Sequence, residues 1–359
     1  MLRVTQIQRR PTAAQFSVEG YFQRVRDQLQ RHDPNLLQLH VLPRHSSGLM
    51  NRLLNLLFTA RFRGQFCHVT GDVHYVACVL RRRQTVLTVL DCEILHRLQG
   101  WRRALLKLLW FTLPVRFAAR ITVISHETKR QLLQQVRYPA DRIHVIPVSV
   151  SPLFVPAAAV PFPARPRVLQ VGTKANKNVP RLLQALQGLD VHLDLVGPVS
   201  PELRQQIEQS GIPWTSWGRL TDEQLVERYH AADIIAFVST HEGFGMPIVE
   251  AQCVERVCVT SNCSSMPEVA GDGACLVNPF DVQSIRAGFV KVISDAAYRE
   301  QLITSGRLNR SRFELTTIAA QFLEVYRLVA AEATDEHGQR GDLSHGLTRI
   351  FTDNRSGGI

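Results

Sequence analysis

Asp233-Ile234-Ile235-Ala236-Phe237-Val238-Ser239-Thr240-His241-Glu242-Gly243-Phe244-Gly245-Met246-Pro247-Ile248-Val249-Glu250-Ala251 decides the fold. The apolar run up to Val238 predicts a buried strand, and Pro247 suits the first turn of a helix, where its missing N–H would have had no partner. A strand that passes through a glycine turn into a helix is one step of an open α/β sheet, and such sheets bind ligands outside the carboxyl ends of their strands. Gly243 and Gly245 are both expected at positive φ, letting the backbone approach a ligand with no Cβ in the way. The free N–H groups and partial positive charge of the helix start favour a phosphate. Glu250, expected in the first turn, can accept two hydrogen bonds from a cis-diol such as a ribose. Glu242, just before the glycines, would approach the sugar side of a diphosphate.

A second segment, Val168-Leu169-Gln170-Val171-Gly172-Thr173-Lys174-Ala175-Asn176-Lys177-Asn178-Val179-Pro180, repeats strand, glycine turn and helix start. Lys177 and Asn178 should emerge at the same sheet edge, with Lys177 meeting the diphosphate; Lys174 is the weaker of the two lysines. The chain has no Asp-x-Asp pair and no His/Cys/Glu cluster at metal-ligand spacing. Side chains and helix termini are therefore expected to neutralise a leaving diphosphate, with no metal and no cofactor.

Working outward, the α/β rhythm continues on both sides. Strands are expected at Arg167–Val171, Val191–Val196, Trp214–Trp217 and Asp233–Val238, with helices at Val179–Leu186, Pro201–Gln209 and Thr221–Ala231 between them. Helices at 282–294, 297–305 and 316–329 follow. Before residue 152, apolar runs at 37–41, 66–69, 85–90, 121–124 and 143–148 indicate a first parallel sheet. Ser125 is placed to cap the helix that starts at His126. Pro152, Pro156, Pro161, Pro163 and Pro166 break regular structure, so 152–166 reads as a linker. The expected domains are 1–151, 167–315 and a helix at 316–332, with 333–359 as a disordered tail.

With 359 residues, two domains are the natural division. The formal charge of +11 is concentrated in residues 1–150, which carry 23 Lys/Arg against 8 Asp/Glu. That imbalance suits a polyanionic surface, either lipid or nucleic acid, though no base-reading module accompanies it. Seven cysteines without a C-x-x-C pair read as reduced, buried thiols. The N-terminus lacks a signal-peptide pattern, and the stretch 104–115 is too short to span a bilayer, so a cytoplasmic location is expected.

The two quoted segments, together with Ser264-Ser265-Met266-Pro267-Glu268-Val269-Ala270-Gly271, resemble glycosyltransferase family 4 over about 165–330. Thr122-Val123-Ile124-Ser125 and Ile146-Pro147 agree more weakly. The resemblance implies the GT-B fold: two Rossmann-like doubly wound α/β domains facing each other across a cleft, with a C-terminal helix crossing back to the first. It implies a retaining enzyme using a GDP- or UDP-linked hexose, mannose or similar, and a glycan or lipid-linked acceptor, in cell-surface polysaccharide synthesis. Glu242 would contact the sugar, Lys177 the diphosphate and Glu250 the ribose. Gly172, Thr173, Lys174, Asn178, Gly243, Phe244, Gly245, Met246 and Pro247 would complete the donor site.

Three departures qualify the resemblance. Leu90 stands where many relatives carry a histidine, with Asp91 next to it as a candidate catalytic, acceptor-facing group and His74 as a second candidate. Glu255 and Val257 replace the usual Gly and Pro of a turn. Gly20 alone stands for a glycine pair after the first strand. A donor-binding protein impaired in transfer is the alternative reading. Two basic, apolar stretches, 49–63 and 96–120, read either as interfacial helices that meet an anionic membrane or as core helices with solvated arginine faces.

Overall fold

The computed structural model describes residues 2–11, 17–92, 94–97, 99–158 and 160–352; for Ser17, His96, Arg97 and 334–352 it describes the backbone alone. Chain contacts divide it into two units. The first takes the chain up to Val123, Leu132–His144 and the chain from Ala319 onward; the second takes Ile124–Gln131 and Val145–Ile318.

The first unit holds β1 (Val4–Gln8), β2 (Leu37–Val41), β3 (Cys67–Thr70), β4 (Thr85–Val89), β5 (Arg120–Val123) and β6 (Ile143–Val145) in the order β2-β1-β3-β4-β5-β6. The sequence reading missed β1. All five of its residues are buried, yet three are polar. Gln6 accepts from Arg26 at 2.9 Å, and Thr5 donates to Gln65, so neighbours satisfy groups that hide the strand from an apolar-run search.

The helix Leu315–Thr352 enters this unit through aromatic side chains. Phe322 packs 6.0 Å from Phe22 and 5.6 Å from the His68 ring, and Tyr326 shares a 2.7 Å hydrogen bond with His68 Nδ1. From 333 onward, where a disordered tail was expected, the backbone stays helical to Thr352, because extending an existing helix fixes only one residue per hydrogen bond gained. Residues 353–359 of that expected tail, Phe16 and the Arg97 side chain of the 96–120 stretch lie outside the described set.

The second unit holds β7 (Arg167–Val171), β8 (His192–Val196), β9 (Trp214–Trp217), β10 (Ile234–Phe237), β11 (Val257–Ser261) and β12 (Cys275–Val277), all parallel, in the order β12-β11-β10-β7-β8-β9. The short strands β11 and β12 had not been expected. Val168, Leu193, Leu195, Ile234, Val259 and Phe289 lie at the heart of its core. The chain leaves β7 toward β8 on one side, and β10 flanks it on the other, so the winding reverses between β7 and β10. Open α/β sheets bind ligands at such a switch point.

The proline-rich segment belongs to this unit and is not a free tether. Ala157 N donates to Val254 O at 3.1 Å, His230 Nε2 bonds Val155 O at 3.0 Å, and Phe154 meets the Tyr229 ring edge-on at 5.2 Å. Among the described residues no helix is long and apolar enough to cross a membrane.

Candidate functional site

The loop 172–178 leaves β7 and the loop 238–245 leaves β10, so paired neighbouring strands deliver both to one edge. Thr240 N donates to Asn176 O at 2.8 Å and ties them together. Glu242 Oε1 accepts from Lys177 Nζ at 2.7 Å and from Asn176 Nδ2 at 3.0 Å. The two charged side chains are only 17% and 16% exposed, so the pair is shielded more than a surface ion pair and holds its geometry. Lys177 Nζ also lies 4.5 Å from the centre of the Phe237 ring, whose π face favours a cation.

Two glycines are required here. Gly172 has φ 87°, and a Cβ there would stand 3.1 Å from Lys177 Cε, so its missing side chain is the channel along which the lysine lies. Gly245 has φ 118°, and a Cβ would meet Ile248 Cδ1 at 3.1 Å and Phe237 Cε1 at 3.3 Å. Gly243 is not among the positive-φ residues, contrary to expectation; the single left-handed step at Gly245 suffices to turn the chain into the helix Met246–Cys253.

Glu250 requires a second correction. The helix begins at Met246, which makes Glu250 its fifth residue and not part of its first turn. Its side chain is buried, and Tyr229 Oη donates to Glu250 Oε2 at 2.5 Å. Burial, with the Glu250 charge second, pushes the Tyr229 phenol well above its usual range, so it remains a donor. Tyr229 comes from the helix Asp222–Ala231, and nothing in its local sequence announced this contact.

Asn178 and Thr173 are tied to the protein itself. Asn178 is buried at φ 60°, a conformation asparagine tolerates, and its amide donates to Val238 O at 3.0 Å and Pro279 O at 2.7 Å. Thr173 Oγ1 donates to Pro198 O at 2.5 Å. Lys174 is exposed. Phe244 turns inward, 5.7 Å from the Phe313 ring, while Met246 and Pro247 form the first turn of the helix.

Asp91 and His74 belong to the first unit. Asp91 is exposed just past β4, next to buried Leu90. His74 is buried, its Nδ1 bonds Trp110 O at 3.0 Å, and desolvation holds its pKa below the ordinary value, so it reads as a structural histidine. At the departure noted after Glu250, Glu255 takes φ 60° and its carboxylate meets Arg307 at 2.8 Å and Arg310 at 3.3 Å. The left-handed turn is thus present without glycine, with two ion pairs fixing it.

Residues 160–309 match the family model for glycosyl transferases group 1. The matched stretch lies within the second unit and contains Lys177, Glu242 and Glu250. The chain is 28% identical over 233 residues to O-antigen chain mannosyltransferase B of Escherichia coli, covering 59% of this chain and 61% of that protein. It is 29% identical over 253 residues to the MMP alpha-(1->4)-mannosyltransferase of Mycolicibacterium hassiacum, covering 64% and 60%. The chain thus spans about three fifths of the length of these curated relatives.

Among solved structures, sucrose-phosphate synthase from Thermosynechococcus elongatus is similar with a TM-score of 0.75 at 16% identity, over 92% of this chain and 100% of that one. Anabaena Alr3699/HepE, in complex with UDP, gives 0.69 at 17% identity, over 90% and 99%. At such identity the likeness concerns the fold, and with the two six-stranded sheets it makes this a two-domain α/β protein of the GT-B type.

Proposed function

We propose that the chain is a retaining, metal-independent glycosyltransferase of family 4. It moves a hexose, mannose or similar, from a GDP- or UDP-linked donor to a glycan or lipid-linked acceptor in cell-surface polysaccharide synthesis. The observation that carries this reading is the Lys177–Glu242 pair fixed at the switch point of the second sheet. The family match over 160–309 and the two mannosyltransferase relatives support it.

In this reading Lys177 and the amides at the start of the helix Met246–Cys253 stabilise the departing diphosphate, which exchanges with Glu242 for the lysine. Glu242 then turns to the sugar, and Glu250, oriented by Tyr229, faces the ribose. Leaving-group stabilisation of this kind acts in the transition state, where it raises turnover and not merely affinity.

The test is release of nucleotide from GDP-mannose and UDP-glucose in the presence of EDTA, with the anomeric configuration of the product read by NMR. Glu242→Ala should lower kcat by about 100-fold or more while the melting temperature holds. Loss of turnover with EDTA removes the metal-free element, and an inverted product removes retention. Buried Leu90 with exposed Asp91 favours the alternative, a donor-binding protein impaired in transfer, whose signature is nucleotide binding with no turnover.

On the acceptor side, the helix Leu49–Ala60 buries Asn55 and Thr59 and exposes Leu49, Met50, Leu53, Leu54 and Leu57. The neighbouring stretch exposes Trp101, Leu105, Leu108 and Leu109, and Arg52 stacks 4.6 Å from the centre of the Trp110 ring to join the two. Apolar side chains facing outward among Arg52, Arg61, Arg63, Arg102, Arg103 and Lys107 suit an anionic membrane at the cytoplasmic face, with no nucleic acid involved. Sedimentation with phosphatidylglycerol vesicles at low salt, and its loss in Leu53→Glu/Leu57→Glu, is the expected result; equal binding to phosphatidylcholine vesicles would count against it.

A further inference from the structure

Three consecutive carbonyls in the turn after Thr240 and His241 are each held by buried or half-buried hydroxyls. Glu242 O accepts from Ser264 Oγ at 2.7 Å and Ser265 Oγ at 3.0 Å. Gly243 O accepts from Ser125 Oγ at 2.8 Å and Thr128 Oγ1 at 3.3 Å. Phe244 O accepts from Ser265 Oγ at 2.6 Å. Ser125, Thr128 and Ser265 are 0%, 1% and 0% exposed, so water cannot replace them.

No peptide bond among the described residues is cis. In a trans peptide the C=O and the following N–H point in opposite directions. A hydroxyl that holds one of these carbonyls therefore turns the amide that follows it the opposite way, so Ser125 and Thr128, through Gly243 O, fix the direction of the Phe244 N–H, two residues before the free N–H of Met246 at the helix start. Among the described residues the amides of Gly243, Phe244 and Gly245 donate to no protein group. Successive N–H groups on one side of a turn form a concave anion site.

We infer that Ser125 and Thr128 are positioning residues for the diphosphate, acting through the Gly243 carbonyl; the inference rests on the donor reading above. Both come from the short segment Ile124–Gln131, which is far from the turn in sequence yet belongs to the second unit. Ser125 Oγ accepts from Thr128 N at 3.0 Å as a helix cap, donates to Gly243 O at 2.8 Å and lies 3.0 Å from Thr128 Oγ1, so the two hydroxyls and the carbonyl form one buried cluster. Glu268 accepts from His126 N through both carboxylate oxygens at 2.9 Å and fixes the helix start against the helix Met266–Ala270. Without these hydroxyls the Gly243–Phe244 peptide is free to rotate and present its oxygen to the anion.

The experiment measures affinity for GDP and UDP against GMP and UMP, which offer one phosphate fewer, alongside melting temperature. Ser125→Ala should weaken diphosphate binding by about 5- to 10-fold, the loss of one buried hydrogen bond, and monophosphate binding by about twofold or less. Thr128→Val should act in the same direction, and Thr128→Ser, which keeps the hydroxyl, should recover the diphosphate preference that Thr128→Val loses. If Ser125→Ala does not fold, the Thr128 pair decides alone. A fall in melting temperature with an unchanged diphosphate-to-monophosphate ratio overturns the positioning role and leaves the donor reading standing. Failure of the unaltered protein to bind either diphosphate overturns both.

Discussion

Tyr229 donates to a buried carboxylate, and a buried hydrogen bond to a charged group is costly to remove. Tyr229→Phe should therefore cost about 1–3 kcal/mol in chemical denaturation, and it should weaken GDP or UDP binding if Glu250 faces the ribose. His68 makes a second residue-scale prediction. Its ring nitrogens meet Tyr326 and Thr88, each at 2.7 Å, and burial lowers its pKa to about 3. The folded protein keeps His68 neutral where the unfolded chain, near the ordinary 6.5, takes up a proton. The stability this histidine leaves intact above pH 6.5 is lost as pH falls from there toward 3. Urea midpoints between pH 5 and 8 should drop on the acid side of that window, with a shallower drop in His68→Gln.

Elements show which parts of the chain were legible and which were not. The β10 turn was readable because an apolar run, paired glycines and Met246-Pro247 each carry a local backbone meaning, and Lys177 was readable by the same logic one strand away. Gly243 was over-read, since one left-handed residue completes the turn. Strand β1 was invisible because Gln6 and Gln8 are polar yet buried, and the Arg26 partner of Gln6 lies twenty residues along the chain. Ser125 was correctly expected to cap a helix, but its bond to Gly243 O spans 118 positions, and no local pattern encodes that. The helix Ala296–Asn309 offers a packing test. A Cβ on Gly273 would stand 2.6 Å from Gly306 Cα, a backbone atom with no rotamer to yield. Gly273→Ala should cost about 1–3 kcal/mol by denaturation, whereas Gly218→Ala, with nothing within 4 Å, should change little.

For the whole molecule, composition and rhythm correctly gave two α/β domains, while the boundaries followed contacts that the rhythm does not report. Ile124–Gln131 joins the second unit, and the chain from Ala319 joins the first. Phe322 and Tyr326 add buried aromatic surface to the Phe22 ring around His68. During synthesis the first unit therefore stays open, with His68 lacking its Tyr326 partner, until the ribosome has carried the chain past that tyrosine. Emergence of the helix Leu315–Thr352 from the exit tunnel is then the event that closes that core, and a stalled chain ending before Leu315 should expose it to proteases.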